Sequence, residues 1–391
     1  MATESGFAHR TDDLKSEGAY QVLARAQELE AQGKDIIHLE IGEPDFPTPP
    51  NVSMAGVRAI VNGETRYNPP PGLVKLREEI AESAGRQRGM QISPSQVVVS
   101  PGAKPNLFFP TLALVNPGDE VIYPNPGFPT YEAMISVAGG VAQAVPLLEE
   151  NSFSFDLRAF DKLVSKKTKL IVINSPSNPT GGVIPMVDLE HIADTAIRNN
   201  CWVLSDEIYT RLVYDDLQVP SIYTLPGMAE RTIIMDGFSK TYAMTGWRLG
   251  YGIMPEELAR RVGLLLNHSI GCTAHFTQIA GIEALTGPQD NVAWMVQNYQ
   301  QRRDLIINGL NNLPGIHCRK PQGAFYAFPN IRDTGKTSNE LANLFLDGGV
   351  AVLPGSAFGK YGEGYLRLVF ANSYENIQRA LERMGEVLKR I

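Results

Sequence analysis

Ser239, Lys240 and Arg248 fall within ten residues of one another in the stretch "SKTYAMTGWRLG", which follows the apolar run "TIIM". A lysine attacks a carbonyl only after it loses its proton, and burial beside a second cation lowers its pKa. An arginine fork matches phosphate or carboxylate oxygens. The stretch is therefore either a solvated turn or a site for something anionic and reactive.

Other residues arrive in the same way. In an open α/β sheet, ligands bind beyond the carboxyl ends of the strands, so the residue after each apolar run matters most. Residues 97–100, "VVVS", lead into "PGAKPN", where Gly102, Ala103 and Lys104 open a helix whose free N–H groups suit a phosphate. Residues 120–124 lead to Phe128, residues 170–173 to Asn174 and Asn178, and residues 201–204 to Asp206 and Tyr209. Further on, "YLRLVF" sets Arg367 on the strand face opposite Leu366, Leu368 and Phe370, where a cation needs an anion. Each residue alone has a bland reading: a turn, a helix cap, a core phenylalanine, a surface lysine, a structural ion pair. Together they make a phosphate cradle, an aromatic plate, amide and phenol donors, an acid and two kinds of cation. That inventory suits pyridoxal phosphate, a flat phosphorylated pyridine aldehyde held by a lysine.

The elements that would carry these residues alternate. Short apolar runs at 97–100, 120–124, 169–176, 201–209, 232–237 and 248–254 are separated by helical patterns near 130–138 and 188–199. Continuous apolar runs between helices argue an α/β fold with a mostly parallel sheet covered on both faces. Helices are also expected at 20–32, 54–62 and 73–87, and a long one at 290–311. After it the texture changes to a smaller α+β unit with a helix at 338–347 and a final helix from about 375. The expected division is a large domain over 51–289 and a small domain made from 1–50 together with 290–391. The long helix links them, and the Pro-rich "EPDFPTPP" is the crossing point.

Composition narrows the function classes. The chain has 391 residues and a formal net charge of −7, so general attraction to nucleic acid or to anionic membrane is not expected. Cys201, Cys272 and Cys318 form no CxxC pair, which argues against a disulfide framework or zinc site and fits a reducing, cytoplasmic setting. No apolar run suggests a signal peptide or membrane span. His38, His191, His268, His275 and His317 show no metal-ligand spacing.

The motifs "GEPDFPTP", "RYNPPPG", "GAKPN", "NSPSNPTGG", "SDEIY", "GFSKTYAMTGWRLG", "GAFYAFP" and "YLRLVF" run in order over nearly the whole chain. With them the sequence resembles the fold-type I pyridoxal-phosphate aminotransferases of class I/II, the group of aspartate and aromatic aminotransferases. The resemblance implies that Lys240 holds the cofactor and then shuttles the substrate's α-proton. Arg248 and Ser239, with the backbone N–H groups of Gly102, Ala103 and Lys104, take the phosphate. Asp206 pairs with the pyridine nitrogen, Asn178 and Tyr209 donate to the phenolate oxygen, and Phe128 stacks on the ring. Arg367 and the Gly42 backbone N–H receive the substrate α-carboxylate. Lys104 is the candidate for the distal carboxylate of an acidic substrate, with a plain surface lysine as the alternative.

Tyr67 would reach a phosphate in the neighbouring subunit, which implies a homodimer with shared active sites, and His275 would approach that site. The family often carries a cis peptide before the proline that is Pro179 here. The implied activity is ping-pong transfer of an amino group between an L-amino acid, acidic or aromatic, and a 2-oxo acid such as 2-oxoglutarate. A carbon–sulfur β-lyase on the same fold is the enzyme alternative, and a substrate panel separates the two. A cofactor-binding regulator would need an added DNA-binding domain, and only about 20 residues precede the matching region.

Overall fold

The structure is a computed structural model that describes residues 8–12, 14 and 17–391. Its first strand, β1 (Ile37–His38), lies in the N-terminal segment. Eight strands then build one sheet: β2 (Val97–Ser100), β3 (Glu120–Asn125), β4 (Val141–Leu148), β5 (Ser154–Phe155), β6 (Thr168–Asn174), β7 (Trp202–Asp206), β8 (Thr232–Gly237) and β9 (Gly250–Ile253). Their spatial order is β2-β9-β8-β7-β6-β3-β4-β5. The central pairs β4–β3, β3–β6, β6–β7 and β7–β8 are parallel, while β9 runs antiparallel to β8 and β2 and β5 runs antiparallel to β4.

The apolar runs are continuous because the central strands are buried on both faces. Along β6, Ile171 and Ile173 join Ile122 and Val203 in a core on one face, while Leu170 and Val172 join Val121 and Leu204 on the other. Side chains alternate with a period of two, so one run fills both cores. Each fully buried aliphatic side chain contributes roughly 1.5–3 kcal/mol, which is what holds the strand ends, and the residues beyond them, in place.

The smaller unit holds β10 (Tyr326–Ala327), β11 (Val350–Ala351), β12 (Leu353–Pro354) and β13 (Leu366–Val369). β13 lies between β10 and β12, antiparallel to both. β1 pairs in parallel with β11, through Ile37 with Val350 and His38 with Ala351, so the N-terminal segment joins the C-terminal strands. The helix Asp290–Asn311 has the bounds expected from the sequence and packs on the last helix, Tyr374–Leu388. Its Arg302 donates to Asp45 Oδ1 at 2.7 Å, tying the Pro-rich segment to this helix.

Two details differ from the sequence expectations. The helix after β2 begins at Pro105 rather than at Gly102, because residues 101–104 form an irregular loop that brings backbone toward Arg248. β4 and the helices Glu256–Ser269 and His275–Thr286 were not anticipated. The Asn178–Pro179 peptide is cis, as expected, and so are Asn125–Pro126 and Ser175–Pro176. Among the described residues, no helix is long and apolar enough to cross a membrane.

Candidate active site

The carboxyl ends of β7 and β8, the loop after β2 and the small-unit strand β13 converge on a cavity of about 530 Å³. Asp206 ends β7 and is 3% exposed. Tyr131 donates its hydroxyl to Asp206 Oδ2 at 2.6 Å, and the Ile208 N–H reaches Oδ1 at 3.3 Å. Burial outweighs these bonds and raises the carboxyl pKa to about 7, and the nearby Asp236 and Glu207 charges add to the rise. No cation pairs with Asp206 among the described residues, so this carboxylate would gain most from a cation arriving with a ligand.

β8 ends at Gly237, and the chain turns to place Ser239 and Lys240 on the cavity wall. Lys240 Nζ donates to the Gly42 carbonyl oxygen at 2.6 Å. Burial lowers its pKa to about 8; the Glu43 charge opposes this, and Arg367, Arg248 and Lys104 reinforce it. A neutral amine is therefore reachable near physiological pH, as a nucleophile or proton carrier requires.

Arg248 stands exposed at the cavity mouth, with Nη1 donating to the Thr245 carbonyl oxygen at 2.8 Å. Its backbone is left-handed at φ 55°, and so is that of Ala243 at φ 50°. Left-handed non-glycine residues are costly and concentrate where a loop is held for a purpose. Gly102, at φ +82°, lies beneath the guanidinium; a Cβ there would sit 2.2 Å from Arg248 Nη2. The left-handed backbone at Gly102 favours glycine, and the guanidinium packs directly on it.

Arg367 is 4% exposed on β13. Nη1 donates to Asn178 Oδ1 at 3.1 Å, Nη2 donates to the Glu40 carbonyl oxygen, and Nε has no partner. Its guanidinium carbon lies 4.7 Å from the Tyr326 ring centroid and 4.9 Å from that of Phe358. Among the described residues, no carboxylate pairs with Arg367, Arg248 or Lys240. Phe128 lines the wall with its ring under Lys104 Nζ at 5.1 Å, and Lys104 pairs with Glu17.

The structure thus brings together Ala103, Lys104, Phe128, Asn178, Asp206, Tyr209, Ser239, Lys240, Arg248 and Arg367 on one cavity, with Gly102 directly behind. Gly42 is present too, but it offers its carbonyl to Lys240, and a Cβ on it would strike the Tyr326 hydroxyl at 2.5 Å. Tyr67 is not brought in: it is 96% exposed on the loop after helix Pro50–Val61 and does not line the cavity. His275 also lies outside, 3.3 Å from Glu64 Oε2.

Sequence reasoning missed Tyr131 and Tyr326. Tyr326 shares a hydrogen bond of 2.6 Å with Tyr209, hydroxyl to hydroxyl. Tyr131 sits three residues after Phe128, in the turn that opens helix Thr130–Val137, and its ring meets Phe128 edge to face; that spacing was the available signal. Tyr326 lies inside the motif "GAFYAFP", where only the motif itself hinted at a role.

A crossed-over parallel sheet with cations at the strand ends, a buried acid and a second small unit closing over them is the framework of a fold-type I enzyme. Residues 34–384 match the family model for "Aminotransferase class I and II". An aspartate aminotransferase from Pyrococcus abyssi is 42% identical over 93% of this chain and 94% of its own length. Aromatic-amino-acid aminotransferase 2 of Thermococcus litoralis is 41% identical over 92% and 93%. The structure of the Thermus thermophilus aspartate aminotransferase with maleate superposes with a TM-score of 0.94, at 36% identity, over 98% of this chain and all of that one. The chain belongs to the class I and II aminotransferase family.

Proposed function

We propose that this chain binds pyridoxal phosphate in the cavity and moves an amino group between an L-amino acid and a 2-oxo acid such as 2-oxoglutarate, in two half-reactions through one site. The observation that carries this reading is the charge arrangement. Among the described residues, Lys240, Arg248 and Arg367 open onto one cavity without carboxylate partners, and Asp206 lies buried at its base without a cation. A group with an anionic phosphate at one end and a protonatable ring nitrogen at the other fits this set of donors. Arg248, Ser239 and the backbone about Ala103 would hold the phosphate, Asp206 the nitrogen, Phe128 one ring face, and Asn178 and Tyr209 the phenolate oxygen.

When bound, the cofactor supplies an electron sink for the charge left on removal of an α-proton. The chain supplies the rest. Lys240, with its lowered pKa, takes and returns that proton as a neutral amine. Asp206, buried at the base of the cavity, would hold positive charge on the ring nitrogen. Arg367 would grip the α-carboxylate; its Nε has no partner, and the Tyr326 and Phe358 rings flank its guanidinium. The names of the relatives favour amino transfer over β-elimination of a sulfur group. The test is a panel of amino donors with 2-oxoglutarate as acceptor, read by the 2-oxo acid formed. Release of ammonia and sulfide from cystathionine or cysteine conjugates without amino transfer would instead support the β-lyase.

Recognition of an acidic substrate needs a second cation, because an unpaired carboxylate is costly to bury. Lys104 is the cavity residue available for it. Lys104→Met is expected to lower kcat/KM for aspartate and glutamate by about tenfold more than for phenylalanine or alanine. An equal loss across the panel would make Lys104 a phosphate-side or structural residue.

Our reading of the assembly is a homodimer, within which residues 51–289 form the large domain and 1–50 with 290–391 the small one. On helix Pro50–Val61, Met54, Val57 and Val61 recur on one face and are 50%, 49% and 80% exposed. This apolar stripe, next to the fully exposed Tyr67 ring, supports burial against a second copy. Tyr67 would then complete the neighbour's phosphate site. Replacing Val57 and Val61 together by glutamate should give a monomer by light scattering, with weakened cofactor retention. An unchanged dimer with full cofactor occupancy would place the interface elsewhere.

A further inference from the structure

Glu17 occupies the N-cap position of helix Gly18–Ala31, yet its carboxylate caps none of that helix's free N–H groups. Short polar residues usually hold that position and bond back to the helix. The longer glutamate instead reaches across the cavity mouth to the ammonium of Lys104. Glu17, Lys104, Phe128, Lys240 and Arg367 all line the same cavity. The two paired side chains are only 28% and 45% exposed, so the pair is partly shielded and partly open to exchange. The Glu17 charge also acts on Arg367, where it favours the protonated guanidinium.

From this geometry we infer that Glu17 is a specificity-determining residue: its carboxylate occupies Lys104 in advance, so a second carboxylate on the substrate gains that cation only by displacing Glu17, whereas an aromatic or aliphatic side chain needs no exchange. The inference rests on the reading of this cavity as the amino-acid site, with Lys104 toward the side chain. Its physical content is a competition between two like-charged groups for one ammonium. An acidic substrate brings a second negative charge toward a wall that already carries one, and must break an ion pair before making its own. A phenyl ring can lie against the alkyl stem of Lys104 with the Glu17–Lys104 pair intact. The chain thereby tilts its preference from dicarboxylic toward aromatic and neutral amino acids without losing the lysine that acidic ones require.

The test uses the cofactor-loaded enzyme and Glu17→Gln, which keeps the side-chain shape and removes the charge. The ratio of kcat/KM for glutamate to that for phenylalanine should rise by about three- to tenfold, the size of effect expected from a partly exposed ion pair and its like-charge repulsion. Succinate, which cannot be transaminated, should bind more tightly by a similar factor in calorimetry, while hydrocinnamate, which lacks the distal carboxylate, should not show that gain. In a Lys104→Met background, Glu17→Gln should leave the ratio where Lys104→Met put it, because the two side chains act as one unit. A ratio and a succinate affinity that stay flat or fall in Glu17→Gln overturn the inference, and so does a rise that persists without Lys104. Failure of the native enzyme to transaminate any amino acid would strike the functional reading instead, and the succinate titration would still report on Glu17.

Discussion

Lys240→Ala is expected to lose amino transfer by about 10⁴-fold or more while the chain stays folded and keeps the capacity proposed for it to bind pyridoxal phosphate. The size follows from the two tasks proposed for one nitrogen, covalent attachment and proton transfer, the second alone being worth roughly 10²–10⁴. The fold should survive because the Lys240 side chain makes one hydrogen bond, to the Gly42 carbonyl oxygen, and leaves no buried partner charge behind. Retention of the cofactor would rest on Arg248, Ser239, Asp206 and Phe128, none of which depends on Lys240 for its position. Borohydride treatment of the native protein should fix the cofactor to the peptide that contains Lys240, and peptide mass spectrometry should find no such adduct in the variant. The pH profile provides a second check. With a pKa of about 8, the amine of the cofactor-free protein becomes neutral as pH rises through 8, so its reaction with pyridoxal phosphate should speed up over that interval and level off above it. Turnover by Lys240→Ala within tenfold of native would falsify the assignment.

How much of this was legible beforehand depended on what kind of burial each element has. β2, β8 and the helices Asp290–Asn311 and Ser338–Asp347 have the bounds read from the sequence. The strands are buried on both faces and so appear as unbroken apolar runs, and the long helix alternates its faces for six turns. β4, "VAQAVPLL", escaped notice because its first residues are exposed, it is rich in alanine, and Pro146 interrupts it. The helix His275–Thr286 packs on helix Pro50–Val61, and its buried Thr277, Ala280, Gly281 and Ala284 are small residues that carry little hydrophobic signal.

The site shows a parallel split. Residues whose chemistry is unusual for their neighbourhood, such as Lys240 after an apolar run or Arg367 within one, announce themselves in sequence. Residues that matter through a partner do not. Tyr131 serves Asp206 from 75 positions away, and Tyr326 serves Tyr209 from 117. Each is an ordinary apolar-segment tyrosine until the fold supplies the other hydroxyl or carboxylate. Glu17 is the extreme case, since its sequence context is a polar N-terminal segment and only the paired Lys104 gives it meaning. Tyr67 shows the reverse: the motif named it, but its place lies outside the cavity of its own chain.

Asp206→Asn is expected to keep the fold and lower the rate of amino transfer by about 10³-fold, equivalent to roughly 4 kcal/mol in the barrier. The carboxylate's proposed task is to keep a proton, and so a positive charge, on the ring nitrogen. An amide of the same shape can keep the Ile208 N–H on its oxygen and turn its NH2 toward the Tyr131 hydroxyl oxygen, but it cannot balance that charge. The same substitution carries a stability signature of opposite sign. In the cofactor-free protein, burial raises the Asp206 pKa to about 7, above its usual value of 3.8, so the folded chain holds this proton more tightly than the unfolded chain does. Stability therefore falls as pH rises from about 4 to 7, and the full cost of the buried charge is present above 7. The neutral amide of the variant carries no such cost. Cofactor-free Asp206→Asn should consequently unfold at a higher temperature than native above pH 7, by up to about 4 kcal/mol in free energy, and the difference should vanish toward pH 4. Pyridoxal phosphate should then reverse the order, because the native protein gains a charge pairing that the variant lacks. If catalysis by the variant drops less than tenfold and adding the cofactor leaves the order of unfolding temperatures unchanged, Asp206 is not the partner of the ring nitrogen, and the buried acid pairs with nothing the reaction uses.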